Sequence, residues 1–489
     1  MSFFSPIRRA AVIVCASIAV LTLPGCGEGG SGSSSGGGSP PVAVPTRPSF
    51  TSSATVSLAE NTTGVFYTAT ASDPQGDPVT FALFSGPDAD KVALDSGGGL
   101  RFNQAPNYDL PTDANLDNVY EVTLRATAGG ESTDLALRVS VTNDVEGVLV
   151  TRVATGIVDP VAIARVPNVE TLLVAEKGGR VLRYNSATGA ISEDTFVRDN
   201  RRPGEVLAIS YGFSGNVFQE GVYLVTHSPA DGLMVQAFNS TRGVVGFTNL
   251  GPAWSAPTTV SMIQSGSIFI AVGSPSESDA QDDSTPYGKL IELPFIDPFA
   301  GASVPDSSVL QIRPQIIGDG IRRPGGFAFG SALLFLADRG GSLEHELTIF
   351  QTNARPLDFG WPFYEGSQAT RDNPPAAVNG PTLVYPFGDG IKQGDGIVAG
   401  VLNDGNFLPA LGDSYIFADI NGIIFSISQS RLRDGFRHTI NVFENKSEDF
   451  VPDAGLIDGP VGFALGTGTD HFFILDRDGE LFRVSQRPD

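Results

Sequence analysis

The sequence predicts an all-β protein in which a β-sandwich is followed by a six-bladed β-propeller. Two observations support this prediction. Six copies of one strand pattern fill the last two-thirds of the 489-residue chain, and a shorter segment before them alternates between polar and apolar residues. Units of three or four strands cannot bury their apolar faces alone, so the repeats must stack or close into a ring.

Residues 1–26 are predicted to be an export signal rather than part of the fold. Arg8 and Arg9 precede an apolar run over residues 10–23. This run is shorter than the roughly 20 residues that span a bilayer. It ends in Leu23-Pro24-Gly25-Cys26, which resembles a lipoprotein lipobox and implies that Cys26 carries lipid. The alternative is an ordinary cleaved signal with an incidental cysteine.

Residues 27–48 are rich in Gly, Ser and Pro and are predicted to be a flexible linker. Such a tether has a root-mean-square reach on the order of 25 Å. Gly27 stands where inner-membrane lipoproteins keep an Asp, so the resemblance favours the outer membrane. We therefore expect a lipid-anchored protein of the cell envelope.

The charge and cysteine content limit the possible partners. The formal net charge is −23, and so acidic a surface repels phosphate backbones, which argues against nucleic-acid binding. The two cysteines are Cys15, inside the signal, and Cys26. No thiol remains for a disulfide, so we expect core burial, together with bound cations, to stabilise the exported chain. Divalent cations are the natural partners.

Residues 49–147 show the period-two alternation and regular turns of a β-sandwich. Five motifs in this segment resemble the cadherin repeat: Leu58-Ala-Glu60-Asn61, Ala71-Ser-Asp73-Pro-Gln-Gly-Asp77, Pro106-Asn-Tyr-Asp109, Asp113-Ala-Asn-Leu-Asp117-Asn118 and Val141-Thr-Asn143-Asp144. The resemblance implies that calcium is bound by Glu60, Asp73, Asp109, Asn143 and Asp144. The alternative is that the acidic residues only form hairpin turns, where Asp, Asn and Gly are favoured.

Residues 150–486 contain the six repeats of the predicted propeller. Each copy has a Pro/Gly start, an apolar strand, a turn, a second apolar strand, a Gly-containing hairpin and a third strand. The copies begin near residues 160, 206, 259, 324, 397 and 460. The last copy nearly restates the first, which indicates one structural unit repeated around a ring.

The propeller segment resembles the glucose/sorbosone dehydrogenase family. The matching stretches include Gly320-Ile-Arg-Arg-Pro-Gly-Gly, Leu334-Phe-Leu-Ala-Asp-Arg339, Glu346-Leu, Asp358-Phe-Gly-Trp-Pro-Phe-Tyr-Glu-Gly366 and Leu408-Pro-Ala-Leu-Gly-Asp-Ser-Tyr. Members of this family hold pyrroloquinoline quinone (PQQ) and calcium over the channel of a six-bladed propeller. The resemblance therefore implies both cofactors here.

The resemblance also implies individual site residues. Arg322 matches a cofactor-binding Arg of the family, and Arg323 replaces the family's Asn. The added cation could pair with the quinone carboxylates or could fill the pocket. Calcium ligands are implied at the Glu346 side chain and at the backbone carbonyl of Phe359, with Asp338 as a neighbour. The alternative is that Asp338-Arg-Gly-Gly is only a turn between two strands.

The family's catalytic histidine motif is absent. Its position reads Ser255-Ala-Pro-Thr-Thr-Val-Ser261, where Thr258 and Thr259 cannot replace imidazole as a base. Of the four histidines, His345 is a weak catalytic candidate because it lies between Glu344 and Glu346. Whether the protein is an enzyme stays open at this point.

The sequence is therefore compatible with two functions. The first is a surface lipoprotein whose propeller serves as a scaffold that binds a ligand, a sugar or a polysaccharide, next to a calcium-binding adhesion domain and with a possible cell-surface protein partner. The second is an active PQQ-dependent aldose dehydrogenase of the cell envelope. Function depends on the site rather than the fold, so the site must decide between them.

Overall fold

A computed structural model describes most of the chain after residue 45. The described residues are 46–193, 204–213, 220–239, 243–252, 259–265, 267–293, 314–330, 332–375, 378–405, 407–433, 437–467 and 470–488. The predicted signal, Cys26 and nearly all of the linker lie outside them, as does Thr258. Within the described part, no helix has the length and apolarity that a membrane span requires.

The described residues confirm the predicted all-β fold. Apart from strands and loops they contain two short 3-10 turns, Ala89–Lys91 and Pro409–Leu411, and one short helix, Gln429–Leu432. The remaining regular structure consists of strands grouped into separate sheets.

The N-terminal domain is a sandwich of two sheets with a small two-stranded sheet at its edge. Strand Val119–Ala128 shows the physical basis of the prediction, because every second side chain is buried, from Tyr120 to Ala128. The strands are, in sheet order, Thr55–Ala59, Glu131–Thr142, Val119–Ala128 and Thr80–Ser85; then Val65–Thr68, Gly99–Phe102 and Val92–Leu94; then Ser49–Phe50 with Ala71–Ser72.

The propeller has six blades, each with an inner strand at the central channel and an outer strand at the rim. Blade 1 contains Pro160–Val166, Thr171–Glu176, Val181–Asn185 and Ile191–Glu193. Blade 2 contains Glu205–Phe213, Glu220–Ser228, Gly232–Asn239 and Gly243–Gly251. Blade 3 contains Val260–Ser265, Ser267–Val272, Lys289–Leu293, Gln315–Asp319 and, in parallel, Leu357–Asp358.

The remaining blades follow the same order. Blade 4 contains Pro324–Gly330, Leu333–Asp338, Glu344–Gln351 and Leu383–Pro386. Blade 5 contains Ile397–Asp404, Asp413–Asp419, Ile424–Ser428 and Glu444–Asn445. Blade 6 contains Pro460–Leu465, His471–Asp476, Leu481–Gln486 and, as its outer strand, Val148–Ala154. A small hairpin, Tyr364–Glu365 with Gln368–Ala369, lies in the loop after blade 3's last strand.

The ring is closed at blade 6 by a strand from the other end of the propeller. Val148–Ala154 pairs antiparallel with Leu481–Gln486, and Val150 faces Val484. Neighbouring inner strands contact one another around the whole ring, including those of blades 1 and 6. The apolar core lies between blades, where clusters such as Val174, Phe473 and Leu475 join blades 1 and 6.

Four blades share a carboxylate that positions the loop at the channel. Glu176, Asp338, Asp419 and Asp476 each end a second strand and are buried. Each accepts backbone N–H groups from the loop that leads into its own blade's inner strand. For Asp476 the donors are the amides of Asp458 at 3.1 Å and Gly459 at 2.9 Å. We call these residues the anchoring carboxylates.

Candidate functional site

A cavity of about 370 Å³ opens where the inner strands begin, at one end of the central channel. Its lining comes from all six blades and includes Pro160, Val206, Thr259, Pro324, Ala399 and Pro460. This volume lies in the range of small-molecule sites in proteins. We call this cavity the channel mouth.

Three cationic side chains line the channel mouth: Lys177, Arg339 and Arg477. Each directly follows an anchoring carboxylate, so the same buried group that fixes the loop also places the cation. In the described part of the lining they are accompanied by a single carboxylate, that of Asp159. A protein with a net charge of −23 therefore concentrates positive charge at this opening.

The three cations differ in how firmly they are held. Arg339 is largely buried, its Nε donates to the carbonyl of Ile397 at 3.0 Å, and burial lowers its pKa from the usual value. The exposed Arg477 donates from Nη2 to the carbonyl of Ile420 at 3.4 Å. Lys177 lies 3.8 Å from Glu205 on the surface. Two cations are thus exposed enough to meet a ligand from solvent.

Apolar groups complete the lining. Ile420, Phe327, Phe463 and Val461 border the same cavity. Gly325 and Gly326 lie between them, and a side chain at Gly325 would come within 2.0 Å of the Ile397 carbonyl oxygen. The cavity therefore joins apolar walls to three cationic side chains.

In residues 255–261, where the family keeps its catalytic histidine, the described side chains offer hydroxyl groups rather than an imidazole. Thr259 lines the channel mouth, and its Oγ1 is buried without a hydrogen-bond partner among the described residues. Ser261 also lines it, with Oγ 3.5 Å from the carbonyl of Pro324. An unassisted hydroxyl does not accept a proton near neutral pH.

None of the four histidines belongs to the lining. His345, the weak catalytic candidate, is fully buried: the amide of Gly340 donates to its Nδ1 at 3.2 Å, and its Nε2 lies 3.2 Å from the carbonyl of Gly394. Nδ1 is thus an acceptor, and Nε2 carries the proton. The ring packs on Tyr385 and Phe387, and burial lowers its pKa. This geometry assigns His345 a structural role.

The two expected cofactor-binding arginines do not come together at the channel mouth. Arg323 is exposed. Arg322 turns away from the mouth and lies over the ring of Trp361, with 4.5 Å between the guanidinium carbon and the ring centroid. A Cβ at Gly341 would lie 2.0 Å from the Arg322 guanidinium, so a larger residue there would require Arg322 to move. The motif resemblance thus missed the cations that line the mouth.

Glu346 and the backbone carbonyl of Phe359 are the implied calcium ligands, and the side chains of these two residues lie in different surroundings. Glu346 is buried beside a cavity of about 10 Å³, close to the roughly 10–15 Å³ that one water needs. Burial, with Asp338, Glu344 and Glu365 nearby, raises the pKa of Glu346 well above its usual value. Phe359 instead packs on Phe350 in the core between blades 3 and 4, with ring centroids 5.5 Å apart.

This arrangement does not fit the implied calcium site. The guanidinium groups of Arg322 and Arg339 border the small cavity beside Glu346. Both oxygens of Asp338 already accept the backbone amides of Arg322 and Arg323, at 2.7 and 2.5 Å. Four carboxylates border the same cavity, but Glu346 is not in any described group whose oxygens lie within 4.8 Å of one another, and a divalent ion needs six to eight oxygen ligands.

In the sandwich, one expected calcium ligand lies apart from the others. Asp73 accepts the backbone amides of Gln75 at 2.6 Å and Asp77 at 3.3 Å, the geometry of a turn. Glu60 accepts the amides of Tyr108 and Asp144, at 2.9 and 3.0 Å. The turn alternative is thus realised at Asp73.

The other four lie where the sandwich meets the propeller. Oxygens of Glu60, Asp109 and Glu146 lie within 4.8 Å of one another. Asn143 Nδ2 donates to Asp449 of the propeller at 3.1 Å. We call the contact between the sandwich loops at 107–109 and 143–147 and propeller residues 444–449 the interdomain interface. Its centre is occupied by a cation of the protein itself, the Lys446 ammonium, 2.7 Å from Asp109 Oδ2.

Comparison with known proteins gives likeness in structure only. No family model matches the sequence, and no curated protein matches it. The apo-form of the soluble aldose sugar dehydrogenase of Escherichia coli is 17% identical, with a TM-score of 0.49, over 70% of this chain and 100% of its own. A glucose dehydrogenase is 18% identical, with a TM-score of 0.49, over 68% and 98%.

A third solved structure is the PQQ domain of pyranose dehydrogenase from Coprinopsis cinerea in its holo form. It is 14% identical, with a TM-score of 0.45, and the alignment covers 69% of this chain and 95% of that domain. At such identities the likeness concerns the fold. The six-bladed topology follows from the strand pairing of this chain itself.

Proposed function

We propose that the propeller is a ligand-binding module whose channel mouth takes a small ring compound bearing carboxylates. The observation that supports this is the convergence of Lys177, Arg339 and Arg477 on one cavity with apolar walls. Arginine pairs with carboxylates through two parallel hydrogen bonds, and lysine adds a point charge.

Two sources of such a ligand share this chemistry. One is a carboxylated quinone such as PQQ, which the motif resemblance favours. The other is an acidic sugar, free or at the end of a polysaccharide. The three cations of the channel mouth would pair with the carboxylate groups of either compound. Binding measurements with each compound distinguish the two sources.

The same site supports a scaffold better than a dehydrogenase. Aldose oxidation needs a base that removes the hydroxyl proton as hydride leaves. The described lining contains no imidazole, and Glu346 does not belong to a described group of carboxylates close enough together to hold calcium. The propeller is therefore proposed to bind without rapid turnover.

One observation favours the dehydrogenase as a second candidate. Asp159 lines the mouth and has a left-handed backbone conformation with φ 48°, a strain that clusters at functional sites. In that case PQQ, when bound, would supply the hydride acceptor. The Asp159 carboxylate would take the proton from the sugar hydroxyl.

We further propose that the protein is anchored in the cell envelope through lipid on Cys26, at the outer membrane, with the sandwich nearest the anchor. The linker at 27–48 would let the propeller reach a sugar, a polysaccharide or a cell-surface protein. This placement is supported by the order of the sequence segments.

Calorimetric titration of the purified protein with PQQ and with galacturonate tests the proposal. One of the two should bind, and Lys177→Ala and Arg477→Ala should each weaken binding about 10- to 100-fold, the effect of one charge-assisted hydrogen bond. Arg355→Ala is the matched control, because Arg355 pairs with Glu292 at 2.6 Å outside the channel mouth lining. Absence of binding, or equal affinity in all variants, would refute the proposed site.

Dye reduction with PQQ, calcium and a panel of aldoses separates the two candidates. The scaffold proposal expects no turnover above the rate without protein. Turnover that falls about 10²–10⁴-fold in Asp159→Asn, the usual contribution of a general base, would establish the dehydrogenase instead.

A further inference from the structure

The interdomain interface is built around a buried ammonium group. Lys446 has only 4% of its side chain exposed. Its Nζ lies 2.7 Å from Asp109 Oδ2, 3.3 Å from Glu444 Oε2 and 3.7 Å from Asp449 Oδ2, and it also contacts Glu146. The carboxylates of Asp109 and Glu146 belong to the sandwich side, and the other two belong to the propeller.

The fold of blade 5 carries this ammonium into the interface. The Lys446 amide donates to the carbonyl of Ile424 at 2.8 Å, and its carbonyl accepts the amide of Phe450 at 3.2 Å. Further hydrogen bonds surround it: Asn107 Nδ2 to Glu444 at 3.1 Å, Tyr108 Oη to Glu448 at 2.8 Å, the Asn445 amide to the Asp109 carbonyl at 3.0 Å, and Asn143 Nδ2 to Asp449 at 3.1 Å.

We propose that Lys446 is a tethered replacement for the calcium ion that the cadherin-like motifs imply. Oxygens of Glu60, Asp109 and Glu146 lie close enough together to surround an ion, and the ammonium already contacts two of these three residues. A divalent cation in the same space would lie beside a positive charge with little water to screen it. The two domains therefore dock without added metal.

The same interface keeps a surplus of oxygen acceptors. Asp109 Oδ1, Asn143 Oδ1 and Asp449 Oδ2 are buried without hydrogen-bond partners among the described residues. Carboxylate and amide oxygens are the ligands that calcium prefers. Once the ammonium is removed, these groups remain without their cation. Lys446→Ala should thus make docking depend on calcium, which the natural protein does not need.

Thermal melting and limited proteolysis of the full chain test this inference, each with EDTA and with calcium chloride. Wild type should give the same result in both. Lys446→Ala should melt several degrees lower in EDTA, should be cleaved faster between residues 143 and 147, and should recover with calcium. Lys91→Ala is the control, because Lys91 pairs with Asp90 at 3.3 Å on the exposed surface of the sandwich.

Three results would overturn the inference. The first is wild-type protein that loses stability in EDTA and carries stoichiometric metal by elemental analysis, because the ion would then be held in addition to Lys446. The second is Lys446→Ala that melts and is cleaved like wild type. The third is a Lys446→Ala variant that is unfolded in EDTA and does not refold when calcium is added. Refolding with calcium would instead support the replacement.

Discussion

Several buried carboxylates in the propeller accept backbone amides. Glu365 accepts the amides of Gly341 and Ser342, at 2.8 and 2.7 Å, and that of Leu343. Asp476 is fully buried and accepts two loop amides. A buried carboxylate is costly unless such donors surround it. These side chains therefore fix loops at the channel rather than perform chemistry themselves.

Glu346 differs from these carboxylates in its strongly raised pKa, and it gives a prediction at the scale of one residue. Its raised pKa means that the folded protein holds a proton that the unfolded chain releases above about pH 4.3. The folded state then binds more protons, so stability falls as pH rises from the unfolded pKa towards the folded one. Glu346→Gln, which mimics the protonated form, should remove this loss.

Urea unfolding at pH 4 and at pH 7 measures the effect. The Gln variant should match wild type at pH 4 and exceed it at pH 7, by up to about 1.4 kcal/mol for each pH unit between the two pKa values. Glu277→Gln is the control, since the Glu277 carboxylate is exposed and pairs with Arg371 on the surface of the propeller. A Glu346→Gln variant less stable than wild type at pH 7 would show that the charged form is the native one.

Site residues could be predicted from the sequence only where motif and repeat coincide. The family resemblance predicts Arg322 and Arg323 as cofactor-binding residues. In the structure, however, Arg322 packs on the ring of Trp361 and Arg323 is exposed. The cations of the mouth follow the anchoring carboxylates, a regularity visible in Glu176-Lys177, Asp338-Arg339 and Asp476-Arg477. That signal becomes meaningful only when the strand ends are known to converge.

At the scale of elements, the inner strands were predictable and the outer ones were not. Middle strands are buried between blades, so they form continuous apolar runs such as Phe472–Leu475, and inner strands are marked by their Pro/Gly start. Two outer strands are short and exposed or half-buried, namely Ile191–Glu193 and Glu444–Asn445. Their sequences carry little pattern, because only one edge and one face are constrained.

The outer strand of blade 6 is a long-range feature that gives the second prediction. Val148 and Val150 are each 1% exposed, and a buried valine contributes about 1.5–3 kcal/mol. A propeller fragment that begins at Pro160 loses both and leaves the edge of Leu481–Gln486 open. Because domains are stable by only about 5–15 kcal/mol and open edges aggregate, we expect this fragment to be aggregated.

Size-exclusion chromatography with light scattering compares the fragment that begins at Pro160 with a fragment that begins at Gly147. Both fragments lack the sandwich, so the difference isolates the closing strand. The longer fragment should elute as a compact species, and the shorter one should elute in the void volume. Equal behaviour of the two fragments would show that three strands suffice for blade 6.

At the scale of the whole molecule, charge is distributed unevenly. The chain carries 54 Asp and Glu against 31 Lys and Arg, yet cations gather at the channel mouth and one ammonium holds the domains together. A positive opening in an acidic surface focuses the field and attracts anionic ligands. Positive charge is thus concentrated at two places in one chain, the channel mouth and the interdomain interface.

The third prediction concerns the anchor that would hold this assembly at a membrane. A lipobox-like end to a short apolar run implies lipid on Cys26, so Cys26→Ser should move the protein from the membrane fraction or leave the signal uncleaved. Cys15→Ser is the matched control, because Cys15 lies inside the apolar run and should fractionate like wild type. Cell fractionation followed by intact-mass measurement reads out both the location and the lipid. Unchanged fractionation and mass in Cys26→Ser would mean that the cysteine is incidental and that the linker at 27–48 has no lipid at its start.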